Sequence, residues 1–505
     1  MEERLAGLSP SALSRATGSP EITGNSVGLQ FDGPLTFDAW IEAIEGARRY
    51  VHFENYILRN DDVGRIFRDV LVAKARQGVE VRVLYDWVGC WATPRRYWKP
   101  FRQAGAEVRA FNRPSLRDPY GVFQRDHRKL VVVDGEVAFV GGFCVGQEWA
   151  GTSDEPPWRD TGVELRGPAA EVAARAFGRI WDVMGEPLPD HALDGPVAPP
   201  GGETSVWLIE GEPKRSRVMR TLSLVASMAQ ERLWITDPYF VAPGMVVEAM
   251  TEAAGAGVDV RLLVPANNNW PLVGSLSRSG FRHLLNHGVR LFEWQGPMIH
   301  AKTAVADGVW CRVGSSNLNA WSLLGNWEID VGVMDASLGG QLEGLFLADL
   351  ASSSEIVLPG SRSLQAPGPA KHLPTLSEIP QTPLEPQGGI AERLEALMEP
   401  GKARPWRLAH FVRAGTSFGG ALAGHRTLGR EDRTILGTVS VISIMAAALV
   451  GLFPRVFGWI GAFVLLWLGL VTGVRAVWHR WRAHDPGDEG GVGSESSSRT
   501  GPPGT

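Results

Sequence analysis

The chain has 505 residues, more than one hydrophobic core normally serves, so two or more domains are expected. Its 55 acidic residues outnumber 50 basic ones, a formal net charge of −5, which argues against a main partner that is a nucleic-acid backbone. Cys90, Cys144 and Cys311 lie far apart with no CxxC pair, which excludes a disulfide scaffold or cysteine-rich zinc site and favours a reducing compartment.

Residues 1–20 hold early acidic residues and no apolar h-region, so they read as a short mobile tail and not as a secretory signal. Residues 21–187 read as a first α/β repeat. Within it, RRYVHFENYILRNDDVGRIFRDVLVAKARQGVEVRVLYD gives a strand, a helix with apolar 3–4 spacing, a stop at Gly78 and an alternating strand. A Pro/Gly-rich linker covers 188–203, and 204–359 repeats the order with ERLWITDPYFVAPGMVVEAMTEAAGAGVDVRLLVP. Tyr239 answers Tyr56 and Gly257 answers Gly78; each glycine sits where a helix must turn into a strand, which calls for a left-handed cap. The fold class is therefore α/β, with a mainly parallel or mixed sheet flanked by helices and built from two repeats.

Residues 360–433 form a Pro-rich tether followed by a basic juxtamembrane segment. Thr434 to Phe453 and Val456 to Val474 then run twenty and nineteen residues without a charge. At about 1.5 Å per residue each matches the roughly 30 Å hydrocarbon core of a bilayer, so 434–478 reads as two transmembrane helices. Pro454 and Arg455 make the turn tight, which leaves a re-entrant pair as the other geometry. Arg426, Arg430 and Arg433 precede the first run and Arg475, Arg480 and Arg482 follow the second, which places the repeats on the cytoplasmic side of a cell membrane. Residues 479–505 are compositionally disordered.

One pattern occurs twice. His127-Arg128-Lys129 leads through four residues to Asp134 and then, after six more, to Gly141-Gly142-Phe143-Cys144. His300-Ala301-Lys302 leads at the same spacing to Asp307 and to Gly314-Ser315-Ser316-Asn317. Two histidines in matching settings suit phosphoryl transfer: one attacks phosphorus, the other protonates the departing oxygen, and the reaction splits into two steps through a phosphohistidine. Lys129 and Lys302 fall on the same strand face as their histidines and can meet the non-bridging phosphate oxygens. Ser315 and Asn317 can donate to the same oxygens, and Gly142 and Cys144 occupy the matching turn of the first copy. Asp134 and Asp307 complete the catalytic set. Their lysine companions make a divalent ion the weaker choice, so no metal or cofactor is expected. Each histidine also needs a carboxylate on its other ring nitrogen; Asp160 is assigned to His127 and Glu328 to His300.

The segments HRKLVVVDGEVAFVGG, WRDTGVELRGPAAEV, DPYFVAPG, AAGAGVDVRLLVP and HAKTAVADGVWCRVGSSNLNAWSLLGNWE resemble the phospholipase D superfamily, and within it the bacterial cardiolipin synthases. The resemblance covers about residues 20 to 355. It implies a pseudo-twofold active site at the repeat interface and metal-independent transfer of a phosphatidyl group from phosphatidylglycerol to a second phosphatidylglycerol. His127 is by that resemblance the nucleophile and His300 the general acid and base. Phospholipid substrates are the implied partners and nucleic acid is not expected. A phospholipase D that passes the intermediate to water is the alternative, and a nucleic-acid phosphodiesterase a weaker one. The chain departs from the family in three places: Cys144 stands where asparagine is usual, the apolar runs follow the repeats, and PANNNWPLVGSL has asparagines where relatives often carry aspartate.

Overall fold

The computed structural model of the chain describes residues 8–114, 124–152, 155–193 and 199–358, with Leu5, Ile379, residues 425–427 and Leu466 besides. The segment 434–478 read as a membrane hairpin, the tether before it and the tail after it therefore lie outside the described residues, apart from those few positions.

Helix α1 (Pro10–Thr17) is capped by Ser9, with proline at the first helical position and Gly18 in the left-handed region behind it. The first repeat then runs β1 (Ile22–Gln30), α2 (Gly33–Gly46), β2 (Tyr50–Asn55), α3 (Asp62–Arg76) and β3 (Glu80–Asp86). It continues with α4 (Lys99–Gln103), β4 (Glu107–Phe111), β5 (Lys129–Val133), β6 (Val137–Gly141), α5 (Gln147–Ala150), β7 (Gly162–Arg166) and α6 (Pro168–Val183). The second repeat opens with β8 (Thr204–Gly211), α7 (Arg217–Met228), β9 (Arg232–Thr236), α8 (Gly244–Gly255), β10 (Asp259–Pro265), α9 (Pro271–Asn286) and β11 (Arg290–Trp294). It closes with β12 (Thr303–Ala306), β13 (Trp310–Gly314), α10 (Ala320–Gly325), β14 (Glu328–Met334), α11 (Ala336–Ala351) and β15 (Ser353–Val357). Gly78 and Gly257, with φ of 88° and 96°, both take the left-handed conformation that lets the chain leave a helix and enter the next strand.

The strand order is the same in both halves: β1-β7-β6-β5-β2-β3-β4 in the first and β8-β14-β13-β12-β9-β10-β11 in the second. β2, β3 and β4 are parallel and β5, β6 and β7 antiparallel, and the second half repeats this mixture. β1 and β8 pair antiparallel through their first residues and join the halves.

β5 shows why this sheet needs helices on both faces. Leu130 and Val132 face a core shared with α6 and α11, while Val131 and Val133 face a second core with α2 and α3. A strand covered on both sides loses polar alternation and reads as a continuous apolar run. The α6–α11 core takes side chains from both repeats, and α6 supplies Ala169, Ala170, Ala173 and Ala174 so that its backbone approaches closely. A third core, on the outer face of the second half, is built with α7 and α8.

The amino-terminal segment is not a mobile tail where it is described. Leu5, Leu8 and Leu13 enter the third core beside Trp207 and Leu222, and the Trp207 indole donates to Ser14 Oγ at 3.0 Å. The apolar positions are too few to show a period, which is why composition alone misses the helix. Leu13 is 1 % exposed, so Leu13→Ala is expected to lower unfolding free energy by about 2–4 kcal/mol in chemical denaturation. An unchanged midpoint would mean the segment does not pack.

Candidate active site

Each histidine lies just ahead of an antiparallel strand, where a parallel strand of the same repeat ends. Lys129 pairs with Asn55, the last residue of β2, and Thr303 pairs with Thr236, the last residue of β9. These ends meet at the repeat interface through two parallel bridges, Asp126 with Trp327 and Arg159 with Ile299. The His127 N–H donates to the Trp327 carbonyl at 2.9 Å, and the His300 N–H donates to the Arg159 carbonyl at 2.6 Å. In both cases the chain stitched to a histidine comes from the other repeat.

The orienting carboxylates are therefore exchanged. Glu328 follows Trp327 and meets His127, with Nδ1 at 2.9 and 3.1 Å from its two oxygens. Asp160 follows Arg159 and meets His300, with Nδ1 at 2.7 Å from Oδ2. The assignment of Asp160 to His127 and Glu328 to His300 is thus reversed, because the chain ahead of β7 and β14 crosses the interface and does not fold back on its own repeat.

Other side chains hold the carboxylates. The Trp149 indole donates to Asp160 Oδ2 and the Thr161 N–H to Oδ1, each at 2.8 Å. Ser315 Oγ donates to Glu328 Oε2 at 2.6 Å, and Ser322 Oγ donates to Oε1. Trp149 and Ser322 each stand eight positions past the glycine that opens the turn, Gly141 and Gly314. That shared offset was the available signal, masked because tryptophan and serine look unrelated until both are seen as donors.

The turn residues are not all free for phosphate. Ser315 spends its hydroxyl proton on Glu328, and its expected donation to phosphate is corrected accordingly. Gly142 makes room: a Cβ there would sit 2.0 Å from Asp160 Oδ1, and its N–H is committed to the Thr161 carbonyl. Cys144 is buried, and burial pushes its thiol above the ordinary range, so it sits as a neutral wall of the site. Asn317 keeps a buried side-chain oxygen with no partner among the described residues, so that oxygen is available to accept from a ligand hydroxyl.

Asp134 and Asp307 are also displaced from their expected catalytic role. Both occupy the tight turn at the far end of the strand that follows the histidine, with φ of 55° and 50°. Asp134 accepts the N–H groups of Arg48, Arg49 and Tyr50, each at 2.8 Å. Asp307 does the same for Gln230, Glu231 and Arg232 at 2.8–2.9 Å. They clamp the turn to the start of β2 and β9 and so fix the register that delivers histidine and lysine to the other end.

Two tyrosines complete the site. Tyr56 and Tyr239 present T-shaped contacts to His127 and His300, with ring centroids 4.7 and 5.8 Å apart. The Lys129 and Lys302 ammonium groups lie 5.1 and 5.9 Å from the same two rings, and each donates to the carbonyl of its own histidine. Sequence comparison of the halves pairs these tyrosines, but pairing alone does not place them at the histidines.

Burial lowers both histidines, Lys129 and Lys302 add to the effect, and the facing carboxylates only partly oppose it; His300 is carried down to about 3. Burial raises Asp160, yet His300 and Lys302 outweigh it and take the carboxyl to about 2; Glu328 is likewise held below its ordinary value against burial, chiefly by His127. Burial also brings Lys302 down to about 8. The resting site thus pairs two carboxylates with two neutral imidazoles beside Lys129 and Lys302. An ionised carboxylate can only accept, so Nδ1 carries the proton in both rings and Nε2 is the free base. Among the described residues no group of three or more His, Cys, Asp or Glu side chains could hold a metal ion.

This division of labour separates two classes of variant. Asp134→Ala leaves three N–H groups unpaired and is expected to cost about 1–3 kcal/mol of stability while changing turnover only a few-fold. Glu328→Gln is expected to cut turnover about 100-fold or more with a smaller loss of stability. Denaturation and turnover measured on both variants check the contrast.

Comparison with known proteins agrees with this geometry. The family model described as "Cardiolipin synthase, PLD-like domain" matches residues 40–155 and 225–350, one copy of the histidine motif in each. Cardiolipin synthase A of Pseudomonas aeruginosa strain PAO1 is 36% identical over 358 residues, 70% of this chain and 73% of the relative. Cardiolipin synthase of Geobacillus thermodenitrificans is 35% identical over 346 residues, 67% of this chain and 68% of the relative. In fold alone, the crystal structure of phosphatidylserine synthase from Haemophilus influenzae superposes with a TM-score of 0.55 at 15% identity, covering 68% of this chain and 91% of that one. With two relatives above 30% identity over two thirds of their length and a duplicated histidine site, the chain belongs to the cardiolipin synthase family of the phospholipase D superfamily and is a phosphatidyltransferase-type enzyme.

Proposed function

We propose that the enzyme transfers a phosphatidyl group from one phosphatidylglycerol to the hydroxyl of a second, releasing glycerol and forming cardiolipin. The observation that carries this reading is the pair of exchanged histidine–carboxylate dyads with two lysines between them. His127 Nε2 attacks phosphorus as the P–O bond to glycerol breaks, and His300 gives its proton to the departing oxygen. The acceptor hydroxyl then returns a proton to His300 while its oxygen takes phosphorus from His127. Lys129 and Lys302 meet the non-bridging oxygens throughout.

The charge balance supports uptake of a proton from solvent when substrate binds. A phosphodiester adds one negative charge between two neutral imidazoles, which favours protonation of one of them. The apolar runs at 434–453 and 456–474 favour a chain anchored in the inner membrane with its repeats on the cytoplasmic side. Apart from Leu466 they lie outside the described residues, among which no helix is long and apolar enough to cross a membrane.

Incubated with phosphatidylglycerol, the membrane-embedded protein is expected to yield cardiolipin and glycerol in equal amounts. Phosphatidic acid as the sole lipid product would instead mark a hydrolase. His127→Ala and His300→Ala are each expected to lose about 1,000-fold or more in rate. The pH dependence carries a definite sign: His300, with its pKa taken down to about 3, is less protonated at every step upward. kcat/KM should therefore fall as pH rises from 6 to 8, and a rise over that interval would contradict the role given to His300.

A further inference from the structure

Three tryptophans are turned outward around the site. Trp91, Trp270 and Trp321 are 76%, 64% and 78% exposed, whereas Trp40, Trp149, Trp181, Trp207 and Trp310 are fully buried. Trp91 stands five residues past the end of β3 and Trp270 five residues past the end of β10, the equivalent strand, so the duplication presents the same side chain twice.

All three lie beside residues that brace the catalytic groups. Gly89, two before Trp91, abuts the carbonyl of Tyr56, whose ring touches His127. Asn269, next to Trp270, accepts from the Tyr239 hydroxyl at 2.8 Å, and that ring touches His300. Ser322, next to Trp321, donates to Glu328, the partner of His127. Leu272 and Leu276, 66% and 49% exposed, extend the apolar surface beyond Trp270.

Charge selects the occupant. The segment 87–105 around Trp91 contains Arg95, Arg96, Lys99 and Arg102 and no acidic residue, although the whole chain is net acidic. The matching segment 266–289 around Trp270 contains Arg282 and again no acidic residue; its other arginine, Arg278, is paired with Glu293 at 3.0 Å. Amphipathic indoles beside cations suit the headgroup region of an anionic bilayer.

We propose that this rim is a membrane-docking surface: Trp91, Trp270 and Trp321 insert at the headgroup level of an anionic lipid bilayer and hold the mouth of the site against it. The docking is separate from any anchoring by the apolar runs beyond residue 433 and rests on the reading that the substrates are lipids.

The test uses the full chain in vesicles, comparing wild type with the triple variant Trp91→Ala/Trp270→Ala/Trp321→Ala. On long-chain phosphatidylglycerol in the bilayer the variant is expected to lose more than 10-fold in rate. On dihexanoyl-phosphatidylglycerol below its micelle concentration it should stay within twofold of wild type. Equal rates on the bilayer, or equal losses on both substrates, would overturn the proposal. A second readout does not need turnover: Trp321→Cys labelled with bimane, feasible because Cys90, Cys144 and Cys311 are buried. Quenching of the label by doxyl lipids in vesicles containing phosphatidylglycerol supports docking even if the transfer reaction itself fails. Absence of quenching, or a bimane shift that follows protein concentration without lipid and so assigns the rim to a second copy, overturns it.

Discussion

The structure depends on an exchange across the interface between its halves. Neither repeat contains a complete histidine–carboxylate pair: the carboxylate that fixes His127 comes from the second repeat and the one that fixes His300 from the first. The backbone enforces this, because the residue just before each carboxylate is hydrogen-bonded to the opposite histidine's own N–H. Halves pulled apart would break both histidine–carboxylate pairs, leaving Asp160 with only its own repeat's Trp149 and Thr161 donors and Glu328 with only Ser315 and Ser322. The α6–α11 core, drawn from both halves, supplies the apolar adhesion that holds the exchange closed.

Burial also sets the charge state of the same groups. The imidazoles stay neutral chiefly because they are buried, and also because protonation would add charge beside Lys129 and Lys302. Both carboxylates remain ionised because they have those cations and several hydrogen-bond donors to answer them. In the proposed transfer, an anionic phosphodiester would unbalance this site and a proton on one imidazole would restore the balance. The unequal supports, Trp149 beneath one carboxylate and Ser315 with Ser322 beneath the other, give two equivalent histidines different surroundings.

Much of this was legible in the sequence because duplication doubles the signal. The twin motif, the Gly78 and Gly257 caps and the apolar run of β5 each follow from local rules of spacing and backbone sterics. What was not legible depends on which way chains cross. Spacing puts Asp160 and Glu328 near a histidine but cannot say which, since the answer lies in bridges between residues about 140–200 positions apart. Asp134 and Asp307 share a motif with the histidines and lysines yet act on backbone at the other end of the strand, because a repeated spacing marks register as well as chemistry. The amino-terminal leucines were missed because their partners, Trp207 and Leu222, lie some 200 residues away.

The exchange can be tested by nuclear magnetic resonance of the two imidazoles, with ¹⁵N-histidine in the full chain and assignment by His127→Gln and His300→Gln. Glu328→Gln should shift and broaden the Nδ1–H signal of His127 and leave that of His300 in place, with Asp160→Asn doing the reverse. If Glu328→Gln instead perturbed His300 and spared His127, each repeat would orient its own histidine and the exchange across the interface would be disproved.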